Sequence, residues 1–280
     1  MALRHSTLFM LLTFHSVSSK VLLEREGSTT DETERIVGGK RAENGRFPWM
    51  VALYYNKQFI CTASIISPTT ILTAAHCVIL EGQLQAPQYF YGIVGNVNRS
   101  SPDVRINFRR VIPHPMYTGL ENDVAVLKTE GVIPFDDNIM PICIAGPDSG
   151  SFEKKKALAM GWGSTSRSRD RQKLPEILQY SSQKVVPNSL CSLTYRMQIA
   201  DTGLCATGLL KGICGGDSGG PLVFFPKDQP PVEIGIASYI NSLKGCGRLL
   251  GPAVFSRISA YYDFIMQTTN DGQVCTVSVN

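Results

Sequence analysis

The sequence predicts an all-β protein of barrel type with one helix near its C-terminus, and three observations predict it. The body of the 280-residue chain reads as short segments rich in Val, Ile, Tyr and Phe. Gly, Pro and Asn turns separate those segments. Only Ala260 to Gln267 has helical character. In such a fold the chemistry is carried on loops.

In chain order, Met1 to Ser19 opens with basic Arg4, continues through the apolar run Leu8 to Phe14 and ends in small residues, the pattern of a secretory signal peptide. Lys20 to Arg35 carries five acids and three bases without an aromatic residue, and reads as a disordered activation propeptide. At Arg35 the character changes abruptly to Ile36-Val37-Gly38-Gly39, which marks a processing site and the start of the functional domain, 36–280. Strands are expected at Trp49 to Tyr55, Ser64 to Ile66, Val124 to Leu127 and Ile234 to Tyr239.

Composition narrows the function. With 43% hydrophobic and 18% charged residues the chain has ample material for a core. Its net charge of +4 is mild. The basic clusters Lys154 to Lys156 and Arg167 to Lys173 are too short for a nucleic-acid patch and read as solvated loops. Beyond the signal no stretch reaches the roughly 18 apolar residues of a membrane span. A secreted, extracellular product with neither nucleic-acid nor membrane partners is therefore expected. Export makes disulfides the reading of the eight cysteines, since no CxxC pair with zinc-site spacing occurs. The sequon Asn98-Arg99-Ser100 offers a glycosylation acceptor for the same compartment.

Gly216-Asp217-Ser218-Gly219-Gly220 fits the G-x-S-x-G pattern of a nucleophilic serine. An α/β hydrolase would need its histidine after that serine, and none of His5, His15, His76 and His114 follows Ser218. His5 and His15 leave with the signal, so the base is His76 or His114. His76 is preferred for its small-residue setting, Thr73-Ala74-Ala75-His76-Cys77; His114 lies between two prolines. Asp123 borders the apolar run Val124-Ala125-Val126-Leu127, where an unpaired carboxylate would be costly, and supplies the orienting acid.

With these motifs in place the chain resembles secreted serine endopeptidases of the chymotrypsin and trypsin family. The likeness runs from Ile36 to about Gln267 and rests on IVGG at Ile36, TAAHC ending at Cys77, NDVAVL from Asn122, GWG at Gly161 and GDSGGP from Gly216. It implies two packed six-stranded antiparallel β-barrels, about 36–142 and 157–260, with a C-terminal helix and tail over 260–280. It implies Ser218 as nucleophile, His76 as base, Asp123 as its orienter, Ser238 as a hydrogen-bond partner of that aspartate, and the backbone N–H groups of Gly216 and Ser218 as oxyanion donors. Cleavage after Arg35 would free the Ile36 ammonium to pair with Asp217. A catalytically idle binding homologue is the alternative class, disfavoured because every catalytic position is kept.

The resemblance places Gly212 at the base of the primary pocket, where trypsin has an aspartate. Ile213 follows it, and Ile240 and Ala253 stand at wall positions. A narrow apolar slot of elastase type, taking small or medium aliphatic residues, is implied. If Ile240 merely packs, larger apolar residues could enter, and trypsin- or chymotrypsin-like specificity is the alternative. Without an acid in the pocket the enzyme should cut its own Arg35-Ile36 junction poorly, so an activating trypsin-like protease is implied. The other implied partners are protein or peptide substrates and protein inhibitors, with the enzyme a monomer. The resemblance also pairs Cys61 with Cys77, Cys191 with Cys205 and Cys214 with Cys246, which leaves Cys143 and Cys275 to pair and pin the tail. No cofactor or metal is expected.

Overall fold

A computed structural model describes residues 39–101, 104–166, 174–208, 212–240, 246 and 251–279. The signal, the propeptide, Arg35, Ile36, the basic cluster 167–173 and the loop 241–245 lie outside the described residues.

A short β1 (Lys40–Arg41) leads into β2 (Met50–Tyr55), β3 (Gln58–Ser67) and β4 (Thr70–Thr73). A two-residue hairpin of β5 (Ile79–Leu80) and β6 (Gln83–Leu84) follows, then β7 (Phe90–Val94), β8 (Val104–Pro113) and β9 (Ala125–Thr129). The first barrel closes in the order β2-β3-β4-β9-β8-β7, all antiparallel. Closure removes free sheet edges and gives the barrel an interior that apolar side chains fill. On β8, Ile106 and Phe108 turn inward while Arg105 and Asn107 face solvent, the period-two pattern of a half-buried strand.

The second half holds β10 (Cys143–Ala145), β11 (Lys156–Gly161), β12 (Gln179–Val186), β13 (Gly203–Thr207), β14 (Pro221–Phe224), β15 (Val232–Ile240), β16 (Ala253–Arg257) and β17 (Thr276–Val277). Strands β14-β11-β12-β13-β16-β15 form a second six-membered ring, closed by the β14–β15 pairing. Outside the ring, β10 pairs in parallel with β15 and β17, and β1 pairs with β12. Two packed six-stranded antiparallel barrels are thus the architecture. One apolar core spans both, with Trp49, Phe90 and Phe108 buried in the first half and Trp162 and Phe255 in the second.

Two helices are present among the described residues, α1 (Asn188–Tyr195) and α2 (Tyr262–Thr269), the latter preceded by a 3-10 turn over Ile258–Tyr261. The first corrects the expectation that only Ala260 to Gln267 is helical. Its sequence lacks an apolar face, because Cys191 alone is buried and Leu193 is exposed. Tertiary ties hold it instead: the Cys191–Cys205 disulfide and the Asn188 amide, which donates to Ala200 O and Gly203 O at 3.0 Å each. The other bridges join Cys61 to Cys77, Cys214 to Cys246 and Cys143 to Cys275. The last fastens the tail beside β10, where Ile144 N donates to Cys275 O at 2.8 Å.

Helix α2 is anchored on the first barrel by a buried cation. Lys128 Nζ donates to Thr70 Oγ1 at 2.7 Å and to the helix-terminal carbonyl of Thr269 at 2.6 Å, and lies 3.7 Å from Asp271. A cation on the last carbonyls of a helix also complements its dipole.

Candidate active site

His76 sits in a 3-10 turn, Ala75–Cys77, directly after β4. Ala74, Ala75 and Cys77 are buried around the histidine, and the Cys61–Cys77 bridge ties the turn to β3. Asp123 precedes β9 and is 1% exposed. Its carboxylate accepts from three directions: the backbone N of His76 at 2.9 Å, the ring Nδ1 of His76 at 2.7 Å and Ser238 Oγ at 2.5 Å. A carboxylate only accepts, so the neutral ring carries its proton on Nδ1, and Nε2 is left with a lone pair. The His76 side chain keeps 30% of its surface exposed, so the ring is reachable from solvent.

Ser218 lies in the turn before β14. Its carbonyl accepts from Thr62 N at 2.9 Å, next to Cys61. The following residue, Gly219, donates to Ala237 O at 2.8 Å, next to Ser238. Ser218 is therefore held between the residue neighbouring the histidine's disulfide and the residue neighbouring the aspartate's hydroxyl partner. Both barrels contribute, so the site exists only where they meet.

The turn's own hydrogen bonds use other N–H groups: Asp217 N donates to Cys214 O and Gly220 N to Asp217 O, at 2.9 Å each. Gly216 has φ of +97°, a backbone conformation that a side chain would strain. A Cβ there would also stand 3.2 Å from the Phe59 ring and 3.0 Å from Gly163 Cα.

Asp217, the residue before Ser218, is 1% exposed. Gly163 N donates to Oδ1 at 2.7 Å and Cys214 N to Oδ2 at 2.9 Å. A Cβ on Gly163 would collide with this carboxylate, so the GWG segment is glycine-rich because the acid packs against its backbone. Burial pushes the Asp217 carboxyl up to about 7, against the lowering effect of those two amides.

Gly212 and Ile213 are buried, and Ile240 lies opposite Ala253 across the β15–β16 ladder. Ile213 directly precedes Cys214, which the bridge joins to Cys246. His114, the alternative base, has no carboxylate partner among the described residues. Its ring packs on Tyr261 and Phe264 at 5.5 and 4.8 Å, Met116 N donates to its Nδ1 at 3.3 Å, and burial lowers its pKa.

Sequence reasoning missed two members of the site. Ser256 Oγ donates to Asp123 O at 2.7 Å and is one more tie between the barrels. Thr62 Oγ1 donates to Gly216 O at 2.9 Å and braces the turn before the serine. A lone Ser or Thr on a strand carries no motif, so no local signal could have found them.

Residues 36–265 match the family model described as Trypsin. The chain is also similar to Transmembrane protease serine 9 of Rattus norvegicus, 33% identical over 251 residues. That alignment covers 87% of this chain and 23% of the relative, so the chain spans about a quarter of the length of the curated relative it matches. The relative is by name a transmembrane protease, and this overturns the expectation of a secreted, extracellular product. An N-terminal apolar run does not by itself distinguish export from membrane attachment. Among the described residues no helix is long and apolar enough to cross a membrane.

Proposed function

The chain belongs to the trypsin family of serine proteases, and from that premise we propose that it is a serine endopeptidase made as a zymogen and activated by cleavage between Arg35 and Ile36. The observation that carries the reading is the His76–Asp123 pair at 2.7 Å, with the serine turn bonded to Thr62, next to Cys61, and to Ala237, next to Ser238.

In the proposed cycle Ser218 Oγ attacks the scissile carbonyl carbon while His76 Nε2 takes its proton. The resulting oxyanion is held by the N–H groups of Gly216 and Ser218, where losing one donor typically costs about 3 kcal/mol of barrier. His76 then protonates the leaving amine, the C–N bond breaks and an acyl-enzyme remains. Water, deprotonated by His76, attacks that ester and frees Ser218. Throughout, Asp123 stabilises the imidazolium and fixes its tautomer, and Ser238 and Ser256 hold Asp123 in place.

Activation rests on Asp217. Its buried carboxylate has two amide donors and no cation among the described residues. The ammonium freed at Ile36 is the proposed partner, and a buried charge that gains its partner locks the adjacent turn. Residues 20–35 are the proposed activation segment and 36–280 the peptidase.

An acid-free pocket of Gly212, Ile213, Ile240 and Ala253 favours small or medium aliphatic residues before the scissile bond, and an external trypsin-like protease as activator. Protein inhibitors that offer such a residue are the corresponding partners. Asn98 is the proposed glycan acceptor; its Oδ1 accepts from Ser100 N at 2.9 Å, so the sequon is already folded into a turn.

The test is kcat/KM of the Ile36-processed protein on matched peptides with Ala, Val, Leu, Phe or Arg before the bond. Ala and Val should exceed Arg by at least about tenfold, the size expected when a buried cation finds no counter-charge. A preference for Arg would refute the pocket assignment, and no hydrolysis of any peptide would refute the endopeptidase.

A further inference from the structure

Gly216, one of the two proposed oxyanion donors, owes the direction of its N–H to its surroundings. Gly215 O accepts from Ser164 N at 2.8 Å, so the planar trans peptide turns the Gly216 N–H the opposite way, where no group among the described residues accepts from it. A Cβ on Gly216 would meet Gly163 Cα at 3.0 Å, Phe59 Cε1 at 3.2 Å and Leu174 Cδ2 at 3.2 Å, so these three groups fill the space beside its Cα. Gly163 is itself fixed, because its N donates to Asp217. Phe59 and Leu174 are half-buried side chains and need support of their own.

Arg99 reaches both. It follows β7 in a segment that crosses from the first barrel to the second: Leu178 N donates to Val97 O at 2.8 Å, Arg99 N donates to Glu176 O at 3.0 Å, and Asn98 forms an antiparallel bridge with Ile177. Tyr54 Oη, from β2, donates to Arg99 O at 2.8 Å, so the Arg99 backbone is tied to both barrels. From that fixed backbone the side chain makes two contacts. Its guanidinium carbon stands 5.0 Å from the centroid of the Phe59 ring, within cation–π range. Its Nε donates to Pro175 O at 2.9 Å, which fixes the residue next to Leu174. Arg105 offers a comparison inside the same aromatic cluster. Its guanidinium carbon lies 4.0 Å from the Tyr91 centroid, Tyr91 stacks on Tyr54 at 4.9 Å, and Tyr54 meets Phe59 edge-on at 5.8 Å, so Arg105 stands two rings further from Gly216.

We infer that Arg99 is a positioning residue for the oxyanion turn, holding Phe59 and the 174–175 segment against Gly216 so that its N–H stays aimed at the developing oxyanion. The inference rests on the endopeptidase reading and deepens it. A donor aimed in advance acts on the transition state more than on the bound substrate, so its disturbance shows in kcat and not in KM. Losing an oxyanion donor outright costs on the order of 10²- to 10³-fold, and a donor kept but loosely aimed should cost about tenfold.

The experiment compares Ile36-processed parent protein with Arg99→Gln, Arg99→Lys and Arg105→Gln. Each is assayed on one peptide with an aliphatic residue before the bond, and with the peptide aldehyde of the same sequence, whose adduct with Ser218 places an oxygen where the oxyanion forms. Substitution at 99 keeps Asn98 and Ser100, so the sequon is unaltered. Arg99→Gln should lower kcat about tenfold with KM within about twofold, and weaken inhibition by the aldehyde by a similar factor. Arg99→Lys, which keeps a cation for the ring but not the planar fork, should lose about threefold. Arg105→Gln should keep kcat and inhibition within about twofold. Lower thermal stability of Arg99→Gln at parent kcat overturns the inference, because a strut that merely joins the barrels behaves that way. A raised KM at parent kcat also overturns it, by assigning Arg99 to substrate binding, as does an equal kcat loss in Arg105→Gln. If Arg99→Gln does not fold, Arg99→Lys decides alone, and parent-like kcat and inhibition there reject the inference. No cleavage by the parent protein refutes the endopeptidase, and the inference with it.

Discussion

Asp123 accepts from His76 twice and from Ser238 once, so every polar contact of its carboxylate serves the ring or the barrel contact behind it. Asp123→Asn would present an amide to Nδ1 and favour the wrong tautomer. kcat should fall by about 10⁴-fold, the loss known for this arrangement of side chains, with KM little changed. His76→Gln should remove measurable hydrolysis, whereas His114→Gln should keep it within a few-fold and cost stability through lost packing on Tyr261 and Phe264. Steady-state kinetics on one ester substrate separates the two. These residues were legible in the sequence as candidates, because TAAHC, the aspartate before an apolar run and GDSGG are local patterns. Glu233 was not. It is fully buried on β15, Ser64 Oγ donates to its Oε2 at 2.7 Å, and Oε1 has no partner among the described residues. Burial pushes its carboxyl up to about 8, only partly offset by the Ser64 hydrogen bond. An acid whose folded pKa is raised contributes stability fully present below its ordinary pKa of 4.5 and lost as pH rises through about 8. Glu233→Gln should therefore stabilise the protein by about 4 kcal/mol at pH 8 and by little at pH 4, read from denaturant midpoints at both.

At the scale of elements, the strands with alternating or continuous apolar runs were legible, while helix α1 was not. Its burial is one cysteine and its fixation is a disulfide, so neither periodicity nor a cap announced it. The tail was half legible: Cys143 and Cys275 remained after the other pairings, but the parallel β10–β17 ladder beside them depends on contacts 132 residues apart in sequence. Closing so long a loop restricts the unfolded chain, and Cys143→Ser with Cys275→Ser should lower stability by about 3 to 5 kcal/mol. Thermal unfolding should show the loss, with kcat unchanged because neither cysteine borders the site. Lys128 makes the matching prediction for α2. Lys128→Met should strand Thr70 Oγ1 and the Thr269 carbonyl without donors and cost about 2 kcal/mol, measured the same way.

The whole molecule is two barrels, and the residues of the proposed site divide between them: His76 and Asp123 come from the first, Ser218, Ser238 and Ser256 from the second. That division was legible only as a spread of motifs along the chain; the packing that unites them is tertiary. It also sets where pH acts before activation. In the uncut chain Asp217, raised to about 7 by burial, contributes stability that is lost as pH climbs toward and past that value. Gaining the Ile36 ammonium would hold the carboxylate charged and remove the loss. Uncleavable Arg35→Gln protein should therefore lose unfolding temperature between pH 5 and 8 more steeply than processed protein, and equal slopes would argue against the pairing. The most direct test of the account is covalent labelling by a fluorophosphonate before and after cleavage at Arg35, with the modified residue identified by mass spectrometry. The account predicts stoichiometric label on Ser218 in processed protein, little in Arg35→Gln, and none in Ser218→Ala. Label at another residue, or none on Ser218 after processing, would contradict it.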